Sequence, residues 1–115
     1  MQTTATESWN LKEPEIMEMA SRLDCDAAID FEQDARIFIQ RGAKELVLNC
    51  AGLTVMTGAG LRAMLTMAKE MKQVEGKLVV CNLQGQPQEM FEACGFNEII
   101  PAYSNKDKAF ARMAA

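Results

Sequence analysis

The segment Glu45 to Ala51, ELVLNCA, is a short and almost unbroken apolar run. Its length suits a strand, and its lack of polar alternation suits one covered on both faces, as in the interior of a parallel sheet. Parallel neighbours need crossover connections, and these are usually helical. The flanking sequence provides them. Upstream, Ala28, Phe31, Ala35, Phe38 and Ile39 recur at helical spacing within Ala27 to Arg41, and Gly42 follows as a left-handed terminator. Downstream, Leu61, Met64, Leu65, Ala68 and Met71 form a second helical stripe, with Arg62, Lys69, Glu70 and Lys72 on the other positions and Gly76 at the end.

The same logic extends to both ends. Lys77 to Leu83, KLVVCNL, reads as another core strand. Gln84 to Gln86 reads as a turn with Pro87 at the first helical position, and Met90, Phe91 and Cys94 face inward before Gly95 stops the helix. Glu98 to Tyr103 gives a last strand, and Asn105 to Met113 a closing helix that gathers Ala109, Phe110 and Met113. Near the start, Ser8 to Lys12 (Trp9, Leu11) and Glu15 to Ala20 (Ile16, Met17, Met19) alternate as two short strands about Pro14, which suggests an antiparallel pair. Residues 1–7 are small and polar and read as a flexible tail. The order is β-β-α-β-α-β-α-β-α, an α/β chain with a mostly parallel sheet and right-handed crossovers.

Composition narrows the function. A chain of 115 residues, 49% of them apolar, makes one packed domain over residues 8–115. A net charge of -4 and a pI near 4.8 argue against a nucleic-acid surface, which needs clustered Lys and Arg. No apolar run approaches the roughly 20 residues of a membrane span, and the N-terminus lacks the basic and apolar parts of a signal peptide. A cytoplasmic protein without membrane insertion is expected. The chain has no histidine, which removes Ser-His-Asp and Cys-His nucleophilic sites. Its four cysteines, Cys25, Cys50, Cys81 and Cys94, form no C-x-x-C pair, so no metal site is expected, and reduced structural thiols are. The nine methionines fall largely on helical core stripes and read as core filling. No carboxylate or lysine constellation advertises catalysis or a cofactor, so the chain reads as a non-enzyme.

The most informative loop joins the ELVLNCA strand to the following helix. Thr57-Gly58-Ala59-Gly60 sits where a helix N-terminus meets a partner or an anion. Thr57 suits a helix cap, its hydroxyl accepting a free backbone N–H. Gly58 and Gly60 allow either an anion-binding turn or close helix–strand packing. G-x-G without a third glycine or a P-loop lysine favours packing beside a partner surface. Asp24 reads equally as a partner contact and as a carboxylate at the positive end of a helix. Asn82, at a strand end, reads as a bond to loop backbone.

Four stretches in order resemble landmarks of the STAS domain, in particular the bacterial anti-sigma factor antagonists. They are Arg22-Leu23-Asp24; the apolar strand leading to Thr57-Gly58-Ala59-Gly60-Leu61; Gly76-Lys77-Leu78-Val79-Val80-Cys81-Asn82-Leu83; and Met90-Phe91-Glu92-Ala93-Cys94-Gly95-Phe96. The resemblance runs from about Trp9 to Met113. It implies a βα superhelix with a mostly parallel four- to five-stranded sheet covered by about four helices.

It also implies a regulatory interaction domain, without catalysis or cofactor, that binds an anti-sigma factor or serine kinase of the ATP-binding type. Asp24, Thr57, Gly58, Ala59, Gly60 and Leu61 would form the partner surface, with Leu61 or Met64 adding apolar contact. Self-association into a weak homodimer is a further expectation. The family's D-S-x-G-L turn becomes Thr57-Gly58-Ala59-Gly60-Leu61 here. Thr57 stands for the aspartate, and Ala59 stands for the serine that receives phosphate. Ala59 has no hydroxyl and cannot be modified, which leaves Thr57 as the nearest alternative acceptor. A STAS scaffold subunit of a stress-signalling or lipid-transport assembly is the alternative role, since it needs no phosphate at position 59.

Overall fold

The structure, a computed structural model, describes residues 14–114. The expected strand at Ser8–Lys12, its antiparallel pairing and the tail before it lie outside the described residues. Six strands are described: β1 (Glu15–Glu18), β2 (Arg22–Leu23), β3 (Glu45–Asn49), β4 (Val55–Met56), β5 (Lys77–Cys81) and β6 (Ala102–Tyr103). They alternate with four α-helices among the described residues: α1 (Cys25–Gln40), α2 (Gly58–Gln73), α3 (Gly85–Ala93) and α4 (Lys106–Ala114).

Four strands form one parallel sheet in the order β1-β3-β5-β6, while β2 and β4 form a separate parallel pair. The period-2 geometry of a strand sends neighbours to opposite faces, so apolar runs in β3 and β5 fill two cores at once. Leu46, Leu48, Leu78 and Val80 join the main core with Phe31 of α1 and Met64 of α2. Val47, Val79 and Cys81 face the other way, into a smaller core with Ala109 and Met113 of α4. Met17, Met19, Met56, Met64, Met67 and Met71 are all buried in the main core, so these methionines fill space as expected.

Several local expectations shift. The stripe of α2 is buried at Leu61, Ala63, Met64, Met67 and Met71, with Leu65 only half-buried. Pro87 is the third residue of α3, still within the turn whose N–H groups have no partner inside the helix. Phe91 is buried, but α3 stops at Ala93, and Cys94, its C-cap, is exposed. The segment 98–103 is strand only at β6; before it, Phe96–Glu98 is a 3₁₀ turn that turns Ile99 outward and Ile100 inward. At the end of α2 the left-handed residue is Glu75, at φ 61°. Gly76 is required for closeness instead: a Cβ there would lie 2.8 Å from the Lys44 carbonyl oxygen.

The tightest approach is between α2 and β2. A Cβ on Gly60 would lie 2.8 Å from Leu23 Cγ and 2.9 Å from Leu23 C, and nearer still to the Leu23 carbonyl oxygen. Gly58, two residues earlier, is exposed, and a Cβ there would meet only Arg62 Nη1 at 3.5 Å. The two glycines therefore make opposite predictions. Gly60→Ala should destabilise the fold by about 1–3 kcal/mol through overpacking. Gly58→Ala should be neutral or stabilise by up to about 1 kcal/mol. Urea denaturation midpoints of the two variants check this.

The cysteines divide just as sharply. Cys25 and Cys94 are exposed, whereas Cys50 and Cys81 are buried. Burial pushes the Cys50 thiol up to about 12, and burial also raises Cys81. Thiolate is the reactive form. An aromatic disulfide reagent at mildly alkaline pH should therefore modify Cys25 and Cys94 in the native protein, with Cys50 and Cys81 reacting only after denaturation.

Candidate functional site

Two short strands aim two helix N-termini at one surface. β2 pairs with β4 in parallel, Arg22 beside Val55 and Leu23 beside Met56. Each strand runs straight into a cap: Asp24 starts α1 and Thr57 starts α2. The Thr57 N–H continues the ladder by donating to the Leu23 oxygen at 3.1 Å. The caps are consequently neighbours although 33 positions apart in sequence.

Both caps are made by side chains. Asp24 Oδ1 accepts the Ala27 N–H at 3.0 Å, and Thr57 Oγ1 accepts the Gly60 N–H at 3.3 Å. The Ala27 N–H is the main cause holding the Asp24 carboxyl below its usual range; Arg22, 3.4 Å away, adds to it against some desolvation. Because the folded value is depressed, the stabilising charge is present at neutral pH and is lost as pH falls through that lowered value. α2 carries no acidic residue in its first turn, so its start is neutral in side-chain charge.

The structure brings Asp24, Thr57 and Gly60 together, but it does not expose every expected contact. Gly58 is exposed, and Asp24, Thr57 and Ala59 are half-buried. Gly60 is buried against Leu23, so it serves packing. Leu61 is 4% exposed and Met64 fully buried, so neither offers an apolar contact to a partner in this conformation. Both lie on the stripe that faces Phe31 and the sheet, and the core claims them first.

Thr54, Gln84 and Gln86 also fix this surface, through bonds that no local sequence pattern announces. Thr54 bonds the Ser21 oxygen through its N–H at 2.8 Å and its hydroxyl at 3.0 Å. Gln84 Nε2 donates to the Ala51 oxygen at 3.3 Å, and Gln86 bonds both polar groups of the Met56 backbone. A glutamine far along the chain leaves no periodic or spacing signal for such a role.

A second polar row caps the carboxyl ends of the sheet strands. Asn49 Nδ2 donates to Glu18 Oε1 at 2.9 Å, and Asn82 Nδ2 donates to Asn49 Oδ1 at 2.9 Å. Asn82, at φ 62°, thus bonds a neighbouring side chain where a loop-backbone bond was expected. Among the described residues no three His, Cys, Asp or Glu side chains group so as to hold a metal ion.

This geometry can be set beside known proteins. A family model, the STAS domain, matches residues 11–109. The chain belongs to the STAS domain family. The "Putative anti-sigma factor antagonist BtrV" of Bordetella bronchiseptica is 34% identical over 84 residues, covering 73% of this chain and 72% of that protein. Among solved structures, the "putative anti-sigma factor antagonist (tm1081)" of Thermotoga maritima aligns with a TM-score of 0.79 at 13% identity, covering 87% of this chain and 88% of the other. A sulfate transporter family protein of Wolinella succinogenes aligns with a TM-score of 0.75 at 18% identity, covering 87% and 84%. The two solved structures share the fold. The BtrV relative marks this STAS domain as anti-sigma factor antagonist-like.

Within this STAS domain the threonine cap is open to a simple test. Thr57→Val keeps the shape and removes the acceptor, and should cost about 1 kcal/mol. Thr57→Asp restores an acceptor and adds a charge favoured by the helix dipole, so it should match or exceed the original stability. Thermal unfolding of both variants at neutral pH measures the difference.

Proposed function

We propose that this STAS domain is a non-enzymatic anti-sigma factor antagonist whose binding surface is permanently in its unmodified state. It binds an anti-sigma factor or serine kinase of the ATP-binding type. The surface is the paired cap region: Asp24, Thr57, Gly58 and Ala59, with Gly60 and Leu61 setting its shape from beneath.

The observation that carries this reading is the methyl group of Ala59 in the first turn of α2. Position 59 is half-buried beside an exposed Gly58, so a partner can approach the backbone closely there. A phosphate at this point would add about -1.5 to -2 charges and several strong acceptors, enough to break an apolar or acidic interface. Alanine offers no atom to phosphorylate. Thr57 Oγ1 is occupied as an acceptor by the Gly60 N–H, and its residue is half-buried, which supports capping over service as a substitute acceptor. The antagonist role is supported by the sequence likeness to BtrV. The likeness to a transporter-family protein is one of fold, so the scaffold-subunit role has no comparable support.

Purified protein incubated with the anti-sigma serine kinase of its own genome and ATP should gain no phosphate by intact-mass spectrometry. Ala59→Ser should gain one if the remaining loop still fits the kinase. Ala59→Asp should weaken the complex by about tenfold or more, equivalent to about 1.4 kcal/mol. A stoichiometric phosphate on the unaltered loop would overturn the unmodified-state reading. Undiminished binding by Ala59→Asp would remove position 59 from the interface.

A further inference from the structure

The connection between β3 and α2 is held from two sides, and only one of them is a strand. On one edge of β4, Met56 sits beside Leu23 in the parallel ladder. On the other edge there is no strand among the described residues. There the carboxamide of Gln86 takes a strand's place: its Oε1 accepts the Met56 N–H at 2.8 Å, and its Nε2 donates to the Met56 oxygen at 2.9 Å. This two-way exchange is what a directly opposed residue makes in an antiparallel pair. Met56 is 1% exposed, so its peptide groups need such partners.

The upstream end of the same connection is tied to the same place. Gln84 Nε2 donates to the Ala51 oxygen at 3.3 Å. Gln84 caps the start of α3 in sequence position but makes no cap bond with its side chain. Gly85, between the two glutamines, is at φ 63°. The segment from Ala51 to Met56 is thus bracketed by two side chains from the start of α3. Met56 leads directly into Thr57.

We infer that Gln86 is a positioning residue for the partner-facing turn, fixing the Thr57 cap by pairing with the Met56 backbone from α3. The inference rests on the reading of residues 57–61 as the partner surface, and it adds that α3 governs the orientation of that surface. The chemistry is selective. At neutral pH a carboxamide of this reach supplies one acceptor and one donor together, and a carboxylate does not. Ionised glutamate can accept the Met56 N–H only by holding its second oxygen against the Met56 oxygen, and that repulsion drives the carboxylate off both groups. Protonated glutamate offers a hydroxyl donor and restores both bonds.

The test uses the full chain and two variants, Gln86→Ala and Gln86→Glu. The first readout needs no partner: amide hydrogen exchange and NMR shifts. In Gln86→Ala the protection of the Met56 amide should fall by about tenfold, the loss of roughly one net hydrogen bond. Shifts of residues 57–61 should move, while core amides such as Val47 and Val79 keep their protection. In Gln86→Glu the Met56 protection factor should be low at neutral pH and recover as the carboxyl protonates, with no such trend in the unaltered protein. A purely space-filling role for residue 86 would not produce that pH profile.

The second readout is affinity for the purified anti-sigma serine kinase, expected to fall about tenfold in Gln86→Ala. Unchanged shifts at 57–61, a flat pH profile in Gln86→Glu, or unaltered kinase affinity in Gln86→Ala would each overturn the inference. If the unaltered protein itself binds no kinase, the proposed function fails, and the amide measurements then decide the placement of the turn alone.

Discussion

The contact of Gly60 with the Leu23 backbone is the constraint on which the arrangement of the functional surface depends. It lets the first turn of α2 rest on β2 with no side chain between them. Any larger residue would lift α2 off β2 and pull Thr57 away from the Leu23 oxygen. The caps of α1 and α2 would then part. A single missing methyl group therefore joins a local conformation to a long-range register, and through it to the surface a partner would meet.

Two kinds of cohesion divide the molecule. The four-stranded sheet is held by close packing on both faces, with Leu46, Val47, Leu48, Val79 and Val80 all buried. The β2–β4 pair has two residues in each strand, too few to persist alone. It survives because Leu23 and Met56 are buried in the main core and because directed polar bonds add to that hold: Ser21 to Thr54, Leu23 to Thr57, and Gln86 to Met56. Arg36 of α1 meets Glu70 of α2 through two bonds, at 3.0 and 2.7 Å, and holds the helices above this pair in line. The side chains of that pair are 40% and 30% exposed, so it orients the helices more than it stabilises them.

The sequence was most legible where one physical period dominated. The unbroken run of β3, the similar run of β5 and the stripes of α1 and α2 each answer to burial, and burial decided them. Legibility failed where a long-range bond overrode local pattern. Val55–Met56 carries too little sequence to announce a strand, and it is one only because Arg22 and Leu23 lie beside it. Cys94 continues the spacing of an apolar helix face, but it is the exposed C-cap of α3. In the site, the hydroxyl of Thr57 and the carboxylate of Asp24 could be placed by capping rules. The inward turn of Leu61 followed from its own stripe, yet its partner role had been set by resemblance. The contribution of Gln86 leaves no trace in the local sequence, because it depends on a backbone partner 30 positions away.

The alternation of faces along β3 and β5 also shapes how this protein meets oxidising conditions. Cys50 belongs to the main core and Cys81 to the smaller one, on opposite sides of the same sheet. Both inner thiols are buried, so an oxidant in solution does not reach them in the folded protein. The accessible sulfurs are at Cys25 and Cys94, and the first lies immediately after the Asp24 cap. Oxidative chemistry on this molecule is thereby directed outward, toward mixed disulfides and links between molecules. A bulky adduct on Cys25 would stand at the edge of the very surface that Asp24 and Thr57 define.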